Sequence, residues 1–293
     1  MTCVICNSQS IHKLYFKNNY WICACSNCDH HFTEIILSAD HLKLVYANDY
    51  FSNGGAGYPD YLFERDILIN QGRRYARLIS KHAKPGALLD VGAAAGFILK
   101  GFVDSGWSGL GIEPNPEMAL YGQKKLGLKI ITTSLEDFSP QGKFALITMI
   151  QVIAHFYNLR KAIQHAVTML EPGGHVLIET WDKDSWIARH AKGNWHEYNP
   201  PSVLHYFSAR NLAQLMSQFG LVQLAIGRPA KWITAKHVKS VLAYNAKSSK
   251  LFWLAAGLSK TMPDRLVVPY PAADLFWALF KKPLDAENQW SAK

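Results

Sequence analysis

The stretch from Leu88 to Pro116, LLDVGAAAGFILKGFVDSGWSGLGIEPNP, constrains the fold more than any other part of the chain. Its apolar run ends at Asp90. Gly92 and Gly96 follow where a strand has to turn sharply into a helix while leaving bare backbone toward a ligand. Phe97, Ile98, Phe102 and Val103 recur at helical spacing, which predicts a helix from about Ala95 to Ser105 with its N-terminus pointing at that ligand. Leu110 to Ile112 read as a second strand. Glu113 closes it 23 positions after Asp90, near the ~20 at which an acid accepts the hydroxyls of a ribose. This is a βαβ unit of an α/β protein.

A second strong pattern lies at the start of the chain. Cys3-x-x-Cys6 and Cys25-x-x-Cys28, separated by 18 residues, match the spacing of a four-thiolate zinc site. Between them, the segments beginning at Lys13 and Asn19 alternate around Asn18-Asn19 like a hairpin, so the two knuckles meet in a zinc ribbon with Cys23 as the spare thiol. His30 and His31 are further candidate ligands, but four thiolates saturate a tetrahedral ion, so the zinc is expected to be structural. A ribbon with so little core needs its metal to fold. Two CxxC pairs fit a reducing compartment better than a disulfide framework. The chain shows neither an N-terminal signal pattern nor an apolar run near the roughly 20 residues that span a bilayer, so a cytoplasmic protein is expected.

Asp90-x-Gly92-x-x-x-Gly96 resembles motif I of class I S-adenosylmethionine-dependent methyltransferases, with Ala94 where a middle glycine often sits. No Lys-Ser/Thr ending follows, so no side chain is provided for a triphosphate. The likeness continues downstream. Ser134 to Asp137 is similar to the segment flanking the adenine, Phe144 to Ile150 to the fourth strand, and Gln151 to His155 to the motif after it. Leu170 to Glu179 is similar to the family's Pro-Gly-Gly turn and fifth strand. The resemblance covers roughly residues 85–182. It implies a Rossmann-like seven-stranded sheet, here with a small N-terminal zinc ribbon. It also implies cofactor contacts: the backbone around Asp90, Gly92, Ala93 and Gly96 for the methionyl part, Glu113 and Pro114 for the ribose, Leu135 and Glu136 for the adenine, and Gln151 beside the reacting centre.

Three regions follow: a ribbon at 1–37, a connector at 38–84, and a catalytic domain at 85–293 with an insertion at about 228–270. The connector carries Tyr46, Tyr50, Phe51, Tyr58 and Tyr61 around a glycine-rich stretch and reads as a lid, with Tyr58 placed toward the sulfonium. Its second half, Asp66 to Lys81, has helical spacing up to Lys84-Pro-Gly86. Leu221 to Ile226 and Leu275 to Lys281 are expected as the last two strands, one of them antiparallel. The insertion holds Lys231, Lys236, Lys239, Lys247 and Lys250 beside Trp232, Phe252 and Trp253, which reads either as a cap on the domain or as a peripheral membrane contact.

The expected activity is in-line methyl transfer to a small-molecule acceptor. Tyr206 to Leu212 resembles a segment of methyltransferases from polysaccharide and sugar pathways, so a sugar or glycolipid precursor is the implied substrate. His155 is the first candidate for a general base; His196, Tyr198 and His205, around the loop that should cover the acceptor, are the others. Two alternatives are an RNA methyltransferase with the ribbon as recognition module, which a net charge of +9 would suit, and a non-catalytic S-adenosylmethionine-binding protein.

Overall fold

A computed structural model of the chain describes residues 1–35, 61–140, 142–245, 259, 261–270 and 272–284. Tyr58, the glycine-rich part of the connector, and the insertion residues Lys247, Lys250, Phe252 and Trp253 lie outside them. The order of elements begins with β1 (Ile11–Lys17), β2 (Tyr20–Cys25), β3 (His31–Glu34), α1 (Arg65–Ile79), β4 (Ala87–Val91), α2 (Phe97–Val103) and β5 (Ser108–Glu113). It continues with α3 (Pro116–Leu126), β6 (Ile130–Thr132), β7 (Phe144–Ile150), α4 (Leu159–Met169), β8 (Leu170–Trp181), α5 (Trp186–Ala191), β9 (His205–Tyr206) and α6 (Ala209–Ser217). Last come β10 (Val222–Gly227), β11 (Lys231–Thr234), α7 (Ala235–Asn245), β12 (Val267–Tyr270) and β13 (Leu275–Lys281).

The central sheet has seven strands in the order β10-β13-β8-β7-β4-β5-β6. β13 runs antiparallel to both neighbours, while β8, β7, β4, β5 and β6 are mutually parallel. This is the Rossmann-like seven-stranded sheet that the resemblance implies. Alternation explains why it forms: Leu88, Leu146, Leu177 and Leu279 pack on one face, and Leu89, Ile147, Ile178 and Phe280 on the other. A sheet buried on both faces needs apolar residues at both parities of the strand. The order reverses at β4, whose neighbours are β5 and β7. The carboxyl ends of strands at such a point leave an open crevice.

Helix α1 belongs with this domain and not with a separate connector. Its Gly72 crosses α2 at Gly101, where a Cβ on Gly101 would lie 2.7 Å from the Gly72 Cα and 2.6 Å from the Arg73 amide nitrogen. Only glycine on both helices lets the backbones approach so closely.

The ribbon hairpin turns through Asn18 and Asn19 at φ 47° and 66°, as expected of a two-residue turn with both central residues left-handed. The ribbon does not stand apart as a 1–37 unit. β3 pairs with β9 to complete a four-stranded sheet, and Cys3, Ile5, Cys25 and Cys28 pack in one core with Phe207, Leu212 and Leu215. Asn211 Nδ2 donates to the Cys28 carbonyl at 2.7 Å and Gln218 Nε2 to the Ile5 carbonyl at 2.6 Å. Among the described residues no helix is long and apolar enough to cross a membrane.

Candidate active site

A cavity opens at the carboxyl ends of β4, β5 and β7, bounded on the far side by α1 and by β11 and the start of α7. The first turn builds one wall. Gly92 sits at φ +69°, and a Cβ there would lie 2.8 Å from Val152 Cγ2, so both the turn and the approach of the next loop demand glycine. The Gly92 and Ala93 amides donate to the Ile112 carbonyl at 2.9 and 3.0 Å, tying the turn to β5. Ala94 takes φ +47° without being glycine, a costly conformation for an L residue. Its amide donates to Glu113 Oε2 at 2.8 Å, while Glu113 Oε1 accepts from the Asn115 amide at 2.8 Å. Asn115 Oδ1 in turn caps α3 through the Glu117 and Met118 amides.

Among the described residues four carboxyl groups, those of Glu64, Asp90, Glu113 and Glu136, line this cavity with one ammonium, that of Lys231. Burial raises the Asp90 pKa from 3.8 to about 7; the Thr148 hydroxyl, 2.6 Å from Oδ1, opposes the rise and the Glu113 charge adds to it. Burial also pushes Glu113 and Glu136 upward, against the backbone amides that each accepts from. Glu136 Oε1 is buried with no hydrogen-bond partner. A cavity that so disfavours carboxylate charge suits a ligand bringing cations and donors.

A family profile described as "Methyltransferase domain" matches residues 65–226, more than half of the 293. The chain belongs to this methyltransferase family. It is 24% identical over 185 residues to a ubiquinone biosynthesis O-methyltransferase of Nitrobacter winogradskyi, covering 56% of this chain and 70% of that one. To the enzyme of the same description from a Bradyrhizobium strain it is 20% identical over 155 residues, covering 46% and 61%. Among solved structures, the 1,6-didemethyltoxoflavin N1-methyltransferase of Burkholderia thailandensis, crystallised with 1,6-didemethyltoxoflavin and S-adenosylhomocysteine, superimposes with a TM-score of 0.53 at 15% identity, covering 94% of this chain and 99% of that one. That likeness concerns the fold.

The methyltransferase brings most of its sequence-predicted site residues to one cavity. Asp90, Gly92, Ala93, Glu113, Pro114, Leu135, Glu136, Gln151 and His155 all line it. Gly96 does not. It caps α2 at φ +78°, and a Cβ there would press on Leu128 Cδ1 at 2.5 Å, so the turn and the packing behind it both require glycine. Of the four candidate bases only His155 faces the cavity. Its Nδ1 donates to the Ser202 carbonyl at 2.6 Å, and burial lowers its pKa against that carbonyl and the one of Gln151, which favours the neutral ring. His196 is 3.8 Å from Asp274, Tyr198 bonds His31 at 2.7 Å, and His205 stacks on His30 at 5.6 Å, all outside it.

Sequence reasoning missed the opposite wall. Glu179, fully buried at the end of β8, accepts from Gln151 Nε2 at 2.8 Å and pairs with Lys231 at 2.6 Å, leaving Oε2 unpartnered. Burial raises the Glu179 pKa and Lys231 opposes the rise. His237 pairs with Glu64 at 2.9 Å, and Trp232 lies under the Arg74 guanidinium at 5.7 Å. Lys236 covers the Phe63 ring at 4.5 Å and Lys239 pairs with Asp264 at 2.7 Å. Among the described insertion residues, Lys231, Trp232, Lys236 and His237 thus pack against the domain and the helix leading into it, as a cap does, while Lys239 pairs within the insertion. A carboxylate ending a buried strand was the available signal, since it requires a partner.

The four cysteine sulfurs of the ribbon lie within 4.8 Å of one another, with Cys3–Cys28 and Cys6–Cys25 both at 3.5 Å. Tetrahedral zinc bonds of about 2.3 Å place sulfurs roughly 3.8 Å apart, so the donor set and its spacing fit that ion.

Proposed function

We propose that this methyltransferase transfers the methyl group of S-adenosylmethionine to a small-molecule acceptor, a sugar or glycolipid precursor, at a hydroxyl or an acidic carbon. The observation that carries the reading is the convergence of Asp90, Glu113, Glu136, Gln151 and His155 on one cavity at the switch point of the sheet. When bound, the cofactor supplies a methyl already activated on a sulfonium.

The chain's own groups bind and align. The Gly92–Ala94 turn and Asp90 take the methionyl end, where a carboxyl poised near neutrality gains a cationic partner. Glu113 has lone pairs left for two ribose hydroxyls after accepting its two amides. The unpartnered Glu136 Oε1 accepts from an adenine amino group. Gln151, fixed by Glu179 and held at φ +61°, faces the reacting centre. His155, whose neutral ring burial favours, takes the acceptor's proton. Alignment of this kind contributes about 7–11 kcal/mol to such displacements. The cysteine cluster holds a structural zinc.

Calorimetric titration with S-adenosylmethionine tests the reading. Micromolar binding to the wild type, weakened at least about tenfold in Glu113→Ala, is expected. Absence of binding in both would remove the cofactor assignment.

A further inference from the structure

A second cavity opens where the ribbon meets the catalytic domain. Its floor is made by Lys183, His31 and Tyr198, and its rim by Arg189, Lys192 and Arg210. The floor is saturated. The Lys183 side chain is only 2% exposed and its ammonium lies 2.7 Å from Asp29 and 2.8 Å from Asp184, while His31 bonds the Tyr198 hydroxyl. Both carboxylates lining the cavity bond Lys183, which leaves the floor one net negative charge against the cations of the rim.

The rim differs. Among the described residues neither the Arg189 nor the Lys192 side chain makes a hydrogen bond or an ion pair, and both are exposed. Arg210 reaches only the Cys28 carbonyl, at 3.5 Å. Three cations without a carboxylate partner therefore converge on one concavity.

The rim is also held in place. Lys192 takes a left-handed φ of 51° at the end of α5, a conformation that costs a non-glycine residue free energy. At the next residue, a Cβ on Gly193 would lie 2.8 Å from Tyr15 Cδ1, so the exit of α5 rests directly on strand β1 of the ribbon. A rim whose backbone is fixed brings these cations to one concavity before an anion arrives, so only their side-chain freedom is lost on binding.

We infer that this junction cavity binds the phosphate or diphosphate group of a small molecule. Guanidinium forks contact phosphate oxygens in pairs and the lysine adds a compact charge. Among the described residues the cavity where methyl transfer is proposed offers one ammonium beside four carboxyl groups and no such cluster of cations. A single concavity, in place of a basic stripe, suits a small anion better than a polymer. The inference stands apart from the methyl-transfer reading, because it is tested by binding.

The experiment is calorimetric titration of inorganic pyrophosphate into the full zinc-loaded chain, with ionic strength held constant by potassium chloride. The expected result is saturable binding by the wild type, weakened about tenfold or more in the Arg189→Gln/Lys192→Gln variant and at least as much in Arg189→Glu, with S-adenosylmethionine affinity unchanged in both. Absence of pyrophosphate binding to the wild type, or equal affinity in the variants, would overturn it. Binding to phosphatidate vesicles but not to pyrophosphate would overturn the small-molecule assignment.

Discussion

Replacing Asp90 by Asn removes a titratable carboxyl from a site that is 3% exposed while keeping the shape of the side chain and its acceptor for Thr148. The wild-type carboxyl titrates near 3.8 when unfolded and at about 7 when folded. Between those values the folded chain holds a proton that the unfolded chain has released, so the contribution of this group to stability falls as pH rises through the window. From pH 5 to pH 7 the fall is about 2 kcal/mol, because the limiting slope of about 1.36 kcal/mol per pH unit is halved by pH 7, and above pH 7 it levels off. Asn at this position has no such dependence. Urea unfolding of both proteins between pH 5 and pH 8 is therefore expected to show a stability gap that widens in favour of Asp90→Asn by about that amount. Any fixed cost of the substitution cancels in the difference between pH values. A gap that stays constant, or that narrows as pH rises, would refute the assignment of a raised pKa to Asp90. The same group predicts that S-adenosylmethionine binding to the wild type at pH 7 releases a fraction of a proton, which calorimetry in buffers of different ionisation heat reads out and which Asp90→Asn should reduce.

Removing the zinc by chelation, or Cys25→Ser, should abolish a stoichiometric metal signal and lower the unfolding temperature of the whole chain, because Cys3, Cys25 and Cys28 sit in the core shared with α4 and α6; a chelated protein with unchanged melting would contradict this. Gly101→Ala forces a methyl group against the backbone of α1 and should destabilise by roughly 2–3 kcal/mol, whereas Gly142→Ala, with nothing within 4 Å, should stay within about 0.5 kcal/mol. His155→Gln is expected to slow methyl transfer by about 10²–10⁴ while leaving cofactor affinity unchanged; an undiminished rate would take the base role from this residue.

Much of the cavity wall at the carboxyl ends of β4 and β5 is legible in the sequence because it is built locally. A strand ending at Asp90, a glycine turn, a helix and a strand ending at Glu113 are contiguous, and their periodicity and turn chemistry act over a few residues. The Asn18-Asn19 hairpin, the Ser208 cap of α6 and the CxxC pairs are legible for the same reason. Gly96 shows the limit of a motif: its position is local, but its constraint is Leu128, brought back by the fold.

Other features join segments far apart in the chain and carry no local signature. The Lys231–Glu179 and His237–Glu64 pairs, the Gly72–Gly101 crossing, the β3–β9 pairing and the rim of Arg189, Lys192 and Arg210 each require several packed elements to be in place first. The class of sheet, the glycine turn with its two acids and the four-thiolate cluster are written locally, because neighbouring residues carry those instructions. Which histidine faces the cavity, what closes its far wall and how the ribbon joins the domain depend on the folded chain, because side chains distant in sequence acquire partners only when burial forces them together.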